Sequence, residues 1–368
     1  MKISIGSKFI DEPFGGGNEF IKNLVFRFKQ DGHEVLFDLS DKDIDIILLT
    51  NPLIDSELST FNNKHINFYK TFRNQNVISV HRINECDERK NTNYVNNLII
   101  KANKNIDSNI YVSEWIKSLY LEQGIKEKES IVVKGGPLKS VFNSKNKKIW
   151  NKKNKLKLVT HHWSSNPMKG IEIYKKIDNL CSDQIWKDKI EFTYIGNLPK
   201  NTILKNTNLI SPLKPKELAS ELEKHHIYIT ASINEPSGNH HMEGVLSGLP
   251  VLYINSGALP EYCENFGVEI KDDLEKSINE IINEYDYYFQ KVKDYPYTFE
   301  YAYGQIIDHF KFLLENRKKI QSARNKQNTL TVFLEYYFDK VYIFIYRKWI
   351  IIKKFLGKKK RLIYKNVH

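Results

Sequence analysis

Residues 234–264 of this chain read NEPSGNHHMEGVLSGLPVLYINSGALPEYCE. Glu235 and Glu243 stand eight positions apart, with Ser237, Gly238 and Asn239 between them. Met242, Val245 and Leu246 carry the spacing of a helix's apolar face, Gly248 and Pro250 stop that helix, and Val251–Ile254 is a short apolar strand. The order loop, helix, glycine stop, strand creates a helix N-terminus whose free N–H groups can hold a phosphate. One carboxylate precedes that terminus and the other lies inside the helix, where carboxylates can accept hydrogen bonds from sugar hydroxyls. A site for a nucleotide sugar needs both features. Glu243 is expected to take a ribose hydroxyl pair, and Glu235, in the loop nearer a cleft, to face the sugar. A capping or solvent carboxylate explains either residue alone. It explains poorly the pair together with Ser237, Gly238 and the loop Ser256–Glu261.

Outward from this window, strand and helix signals alternate. In the first half, Lys2–Ile5, Glu34–Phe37, Ile44–Leu49, Val77–Val80, Ile110–Val112 and Ile131–Val133 read as short strands, and Glu19–Phe28 as an amphipathic helix ended by Gly32. Asn143–Lys155 turns polar and reads as a linker. The pattern then restarts with strands at Leu156–Thr160, Glu191–Ile195 and Ile227–Thr230 and a helix at Met168–Ile177. Such alternation predicts parallel, doubly wound sheets. The expected architecture is α/β: a Rossmann-like domain over 1–145, a second over 155–298, a closing helix over 299–316 and a basic tail over 317–368. Two such domains in tandem imply a cleft between them, with ligand-facing loops at the strand C-termini.

Charge is uneven. The net charge is +12, yet residues 1–316 hold 41 basic and 42 acidic side chains, and the remainder holds 15 Lys and Arg against Glu335 and Asp339. A neutral body with a cationic appendage argues against a nucleic-acid-binding core. Three dispersed cysteines, Cys86, Cys181 and Cys263, indicate a reducing compartment. The N-terminus MKISIGSKFI is too polar for a signal peptide, and no run of eighteen apolar residues exists, so no spanning helix is expected.

Further constellations face the expected cleft. Gly15–Gly16–Gly17 opens a helix after the first strand, where glycines let the backbone approach a ligand; a plain tight turn explains them equally well. HHWSSNPMKG, His161–Gly170, joins a strand to a helix and sets Lys169 at the helix start, a natural diphosphate partner. His81 ends a strand, followed by the charged run Arg82, Glu85, Asp87, Glu88, Arg89 and Lys90, and is expected to point into the cleft. The pairs His161–His162 and His240–His241 diverge as neighbours in sequence, and no Cys or Asp frames them at ligand spacing, so no metal site is expected.

These residues resemble the retaining GT-B glycosyltransferases of family 4. The resemblance rests on Glu235 and Glu243, which look like that family's E-x7-E motif, on GLPV at Gly248–Val251, GALPE at Gly257–Glu261, Met168–Lys169–Gly170 and the Gly15–Gly17 loop, and it covers about residues 1–315. It implies two Rossmann-like domains facing a central cleft, a nucleotide-sugar donor held mainly by the second domain, an acceptor held mainly by the first, no cofactor, no metal requirement and retention of configuration. By position it implies that Glu243 binds ribose, Glu235 contacts the donor sugar, Lys169 neutralises the leaving diphosphate and the amides of Gly16 or Gly17 approach the phosphate. Ser237, Gly238 and Asn239 complete the donor loop. His81 resembles a histidine near the transferred sugar. Many members carry an Arg several residues before the Lys; here that stretch is His162–Ser165, without one.

The tail departs from the family. Residues 331–361 mix Tyr, Phe, Ile and Trp349 with Lys340, Arg347, Lys348, Lys353 and Lys354 before Gly357–Lys358–Lys359–Lys360–Arg361. That composition fits a helix lying on an anionic membrane surface; an extra helix packed on the body is the alternative. The combined expectation is a cytoplasmic transferase, peripheral on the inner face of the plasma membrane, with a lipid-linked or surface-polysaccharide acceptor. A non-catalytic nucleotide-sugar-binding subunit and a GT-B sugar-nucleotide epimerase are the alternatives.

Overall fold

The computed structural model describes residues 1–11, 15–52 and 58–365, with the side chains of 351 and 354–365 outside the description. Residues 12–14, just before the glycine loop, and the Lys358–Arg361 side chains therefore lie outside the described residues.

The first sheet contains β1 (Lys2–Ile5), β2 (Glu34–Leu36), β3 (Ile46–Leu49), β4 (Ile78–Ile83), β5 (Ser108–Tyr111) and β6 (Ser130–Val132), in the order β2-β1-β3-β4-β5-β6. The second contains β7 (Leu156–His162), β8 (Ile190–Gly196), β9 (Asn208–Ile210), β10 (Ile227–Thr230), β11 (Val251–Tyr253) and β12 (Gly267–Glu269), in the order β12-β11-β10-β7-β8-β9. All the paired strands run parallel. Parallel strands covered on both faces read as unbroken apolar runs, which is why IILL in β3 is buried throughout. Strand order reverses between β1 and β3 and again between β7 and β10, and the crevices at such reversals are where α/β sheets bind ligands.

The helices that matter for the site are α1 (Gly16–Gln30), α2 (Asn63–Phe72), α3 (Val95–Asn103), α4 (Ile171–Leu180), α5 (Asn239–Leu246), α6 (Phe299–Glu315) and α7 (Thr329–Lys365). α1 buries Phe20, Leu24, Val25 and Phe28 at helical spacing. α6 follows the second sheet but buries Phe299, Ala302, Ile306 and Phe310 in the same core as β1 and α1. Gly135 admits this crossing, since a Cβ there would come within 2.4 Å of the Ala302 methyl.

α7 has two apolar faces. Val332, Tyr336, Asp339, Ile343, Tyr346 and Ile350 recur every three or four residues and are buried or half-buried. Along this seam Tyr336 stacks on Phe68 of α2 at 3.9 Å, and Asp339, 2% exposed, accepts hydrogen bonds from Asn62 Nδ2 and Lys64 Nζ, each at 2.6 Å. On the far side Leu334, Phe338, Val341, Ile345, Trp349 and Ile352 are exposed. Packing on the body thus accounts for one face and leaves the other open. Among the described residues no helix is long and apolar enough to cross a membrane.

Candidate functional site

A cleft of about 650 Å³ lies between the two sheets and is lined from both domains. α1 and α5 aim their N-termini at it. They come so close that a Cβ on Gly16 would sit 2.9 Å from Asn239 Nδ2, while one on Gly17 would meet nothing within 4 Å. A side chain at 16 would therefore have to displace the Asn239 amide, and Gly17 leaves room over the cleft.

Glu235 precedes α5 in a loop that turns at Asn234, whose φ of 50° is left-handed, a conformation Asn tolerates. The loop is fixed from below: Asn234 N donates to Ser256 Oγ at 2.9 Å, and Ala258 N donates to Glu235 O at 2.8 Å. Gly257, at φ 61°, is needed there because a Cβ would lie 2.5 Å from Glu235 N. The Glu235 carboxylate is buried, receives Lys169 Nζ at 2.8 Å and lies 3.4 Å from Arg89 Nε. Burial alone would raise its pKa, but the two cations outweigh it and hold it at about 2. Burial lowers the Lys169 pKa, and Glu235 offsets part of that. Lys169 ends the turn Pro167–Lys169, and Gly170 behind it has φ 90° and packs against Ala231 so closely that a Cβ would overlap the Ala231 carbonyl at 2.1 Å.

Glu243, inside α5, lies on the cleft wall and meets His161 Nε2 at 2.6 Å. The other ring nitrogen of His161 is 3.1 Å from the Tyr228 hydroxyl. Ser237 Oγ lies 3.1 Å from the Tyr262 hydroxyl, which also donates to Val112 O in the first domain. Gly238 stands against the His240 ring. His162 Nε2 meets Tyr174 Oη at 2.7 Å and His240 Nε2 meets Thr230 Oγ1 at 2.9 Å, and burial holds both histidines well below the usual pKa. His161, His162 and His240 thus turn to separate partners while His241 has none, and among the described residues no cluster of three metal-ligating side chains occurs.

His81 is placed differently from expectation. Its side chain is 1% exposed, meets Asn103 Nδ2 of α3 at 3.2 Å and is pushed by burial to a pKa of about 3. Successive residues of a strand face opposite sides, so in β4 it is Arg82 that lines the cleft, its guanidinium 4.1 Å from the centre of the Phe20 ring. The strand expected to end at His81 runs on to Ile83, so His81 lies within β4 and faces α3.

Arg89, one charge of the run after β4 and not among the expected site residues, also reaches the cleft. Asp87 fixes this run by accepting from Thr92 Oγ1 and from the backbone N–H groups of Tyr94, Val95 and Asn96. Arg89 is 8% exposed, and its Nη1 is buried beside the cleft without a hydrogen-bond partner. The arrangement supplies two cations and two helix N-termini for an anion, and two carboxylates for hydroxyl groups.

The sequence matches no family model and no curated protein. Its structure resembles solved glycosyltransferases. Sucrose-phosphate synthase (tll1590) from Thermosynechococcus elongatus superposes with a TM-score of 0.61 at 12% identity, over 85% of this chain and 99% of that one. Anabaena Alr3699/HepE, solved with UDP and glucose, gives 0.59 at 14% identity, over 85% and 100%. The lipopolysaccharide outer core galactosyltransferase WaaB gives 0.59 at 11% identity, over 85% and 99%. Two six-stranded parallel sheets, flanking helices and a cleft between them make this chain a GT-B fold, the architecture of those glycosyltransferases.

Proposed function

We propose that this chain is a retaining glycosyltransferase that moves a sugar from a nucleotide-sugar donor to a lipid-linked or surface-polysaccharide acceptor. The observation that carries the reading is the cluster Lys169–Glu235–Arg89 at the mouth of α5, with Glu243 one turn inside the helix. Breaking a sugar–phosphate bond develops negative charge on a diphosphate. Lys169, Arg89 and the α5 N–H groups are preorganised for that charge, and a well-aimed donor of this kind contributes roughly 3 kcal/mol. Arg89 supplies, from the first domain, a second cation that the His162–Ser165 stretch lacks. Glu243 takes the ribose hydroxyls and Glu235 a donor-sugar hydroxyl. The amide of Gly17 approaches the phosphate from the opposite wall. With two side-chain cations on the leaving group, the reading calls for no metal and no cofactor. α7, with one apolar face free, rests on the cytoplasmic leaflet and brings the cleft to a lipid-linked acceptor.

The test is nucleotide release. The purified protein is incubated with a panel of UDP-, GDP- and other activated sugars, with and without membrane lipid extract, beside Glu243→Ala. Release from one donor, increased by lipid and lost in the variant, is the expected result. A donor that binds but is never turned over would favour a non-catalytic binding subunit, and a donor released as an epimerised sugar would favour an epimerase. No binding of any donor would sink the site assignment.

A further inference from the structure

A second cavity, of about 320 Å³, lies between the segment that leads into α2 and one flank of α7. Its helix wall carries Lys340, Arg347 and Lys348, with Phe344 among them. Among the described residues these cations are held in place by neutral groups. Arg347 Nη2 donates to the Ser59 carbonyl at 2.9 Å, Lys340 Nζ lies 4.9 Å from the centre of the Tyr336 ring, and Lys348 Nζ lies 5.6 Å from that of Phe344. The one nearby described carboxylate on the helix, Asp339, is buried and taken by Asn62 and Lys64. Among the described residues none of the three cations forms an ion pair with a carboxylate. At helical spacing Lys348 borders the open apolar face of α7, formed by Phe338, Val341, Ile345 and Trp349, and the exposed Phe344 ring lies between it and the other two cations.

A cationic pocket beside an exposed apolar strip has the two halves of a phospholipid-binding site: charge for a phosphate and greasy surface for the chains. We propose that this cavity holds the phosphate of an anionic phospholipid whose chains run along the apolar face of α7. The proposal rests on the reading of α7 as an interfacial helix and adds a defined headgroup site to it.

The experiment is flotation of the full chain with vesicles of phosphatidylcholine alone and of phosphatidylcholine mixed with phosphatidylglycerol. Three variants are compared: Lys340→Gln with Lys348→Gln in the pocket, Lys358→Gln with Lys359→Gln further along the same helix, and Val341→Ser with Ile345→Ser on the apolar face. The wild type is expected to prefer the anionic vesicles. The pocket pair should weaken that binding roughly 30-fold, the distal pair less than about fivefold, and the apolar pair should lose both vesicle types. Equal losses from the pocket and distal pairs would mean diffuse charge and would overturn the pocket while leaving the interfacial helix standing. A wild type that floats with neither vesicle would overturn both. Titration with inorganic phosphate and glycerol 3-phosphate separates the sources: if either binds in the pocket as tightly as the vesicles do, the site is one for a free phosphate compound and the lipid assignment fails.

Discussion

Arg89 Nε of the first domain lies 3.4 Å from Glu235 Oε2 of the second, so one ion pair spans the cleft beside the proposed diphosphate. The unpartnered Nη1 of the same guanidinium is the part available to a ligand. Arg89→Ala should weaken binding of a nucleoside diphosphate by roughly 10- to 100-fold, the range for a lost hydrogen bond to a charged group, and leave binding of the bare nucleoside unchanged. Arg89→Lys should recover only part of the loss, because an ammonium has no planar fork. Calorimetric titration of both ligands decides this, and an unchanged diphosphate affinity would remove Arg89 from the site.

Glu261 ties the domains together at a second point. Its carboxylate accepts from Trp115 N at 2.7 Å and Glu114 N at 3.0 Å, the free amides at the start of a first-domain helix, and lies 3.0 Å from Lys134 Nζ. Glu261→Ala removes an inter-domain helix cap and should cost about 1 kcal/mol in urea unfolding. Loss of the tie should also give a larger radius of gyration by X-ray scattering. Gly16→Val should open the cleft in the same way, since its side chain would enter Asn239, whereas Gly17→Ala should leave scattering unaltered because nothing lies within 4 Å of the added carbon.

His241 supplies a pH prediction. Both its ring nitrogens are buried without partners, and burial, only partly opposed by Glu235, lowers its pKa to about 3. The folded state therefore binds this proton less readily than the unfolded chain, whose histidines titrate near ~6.5. The sign follows: stability is unaffected well above that value and falls as pH drops below it, by up to about 1.4 kcal/mol per pH unit for the group. His81 adds the same slope for the same reason. His241→Phe should flatten the fall in unfolding free energy between neutral pH and pH 4, and an unchanged slope would show that this ring is charged or solvated in the fold.

The sheet architecture was legible because its strands are short apolar runs set between glycines and amphipathic helices, and such runs keep their identity wherever they pack. The Glu235–Glu243 window was legible for a related reason: loop, helix and strand are contiguous there, so local spacing alone sets both carboxylates at one helix mouth. His81 was not, because the direction of its side chain depends on how far β4 runs, and the strand continues past it to Ile83. Arg89 was visible as one charge in a run. Its value lies in meeting Glu235 and Lys169, residues far away in sequence, and only the closing of two domains brings them together. The seam of α7 was hidden for another reason. The helix has apolar residues around most of its circumference, so composition does not say which face the body takes.

Asp339 decides that choice of face. It is the acidic residue of the α7 seam, and Asn62 and Lys64 satisfy it from the start of α2. Asn62 also caps α2 by accepting from Lys64 N and His65 N, so the contact joins the tail to a helix terminus that is already ordered. Asp339→Ala leaves the buried Asn62 Nδ2 without its acceptor, at about 1–3 kcal/mol. The stacked Phe68–Tyr336 pair then remains as the main hold. The expected outcome is local: α7 should become sensitive to limited proteolysis after Lys326, while the thermal transition of the two domains moves little. Cleavage no faster than in the wild type would show that the aromatic seam alone docks the helix.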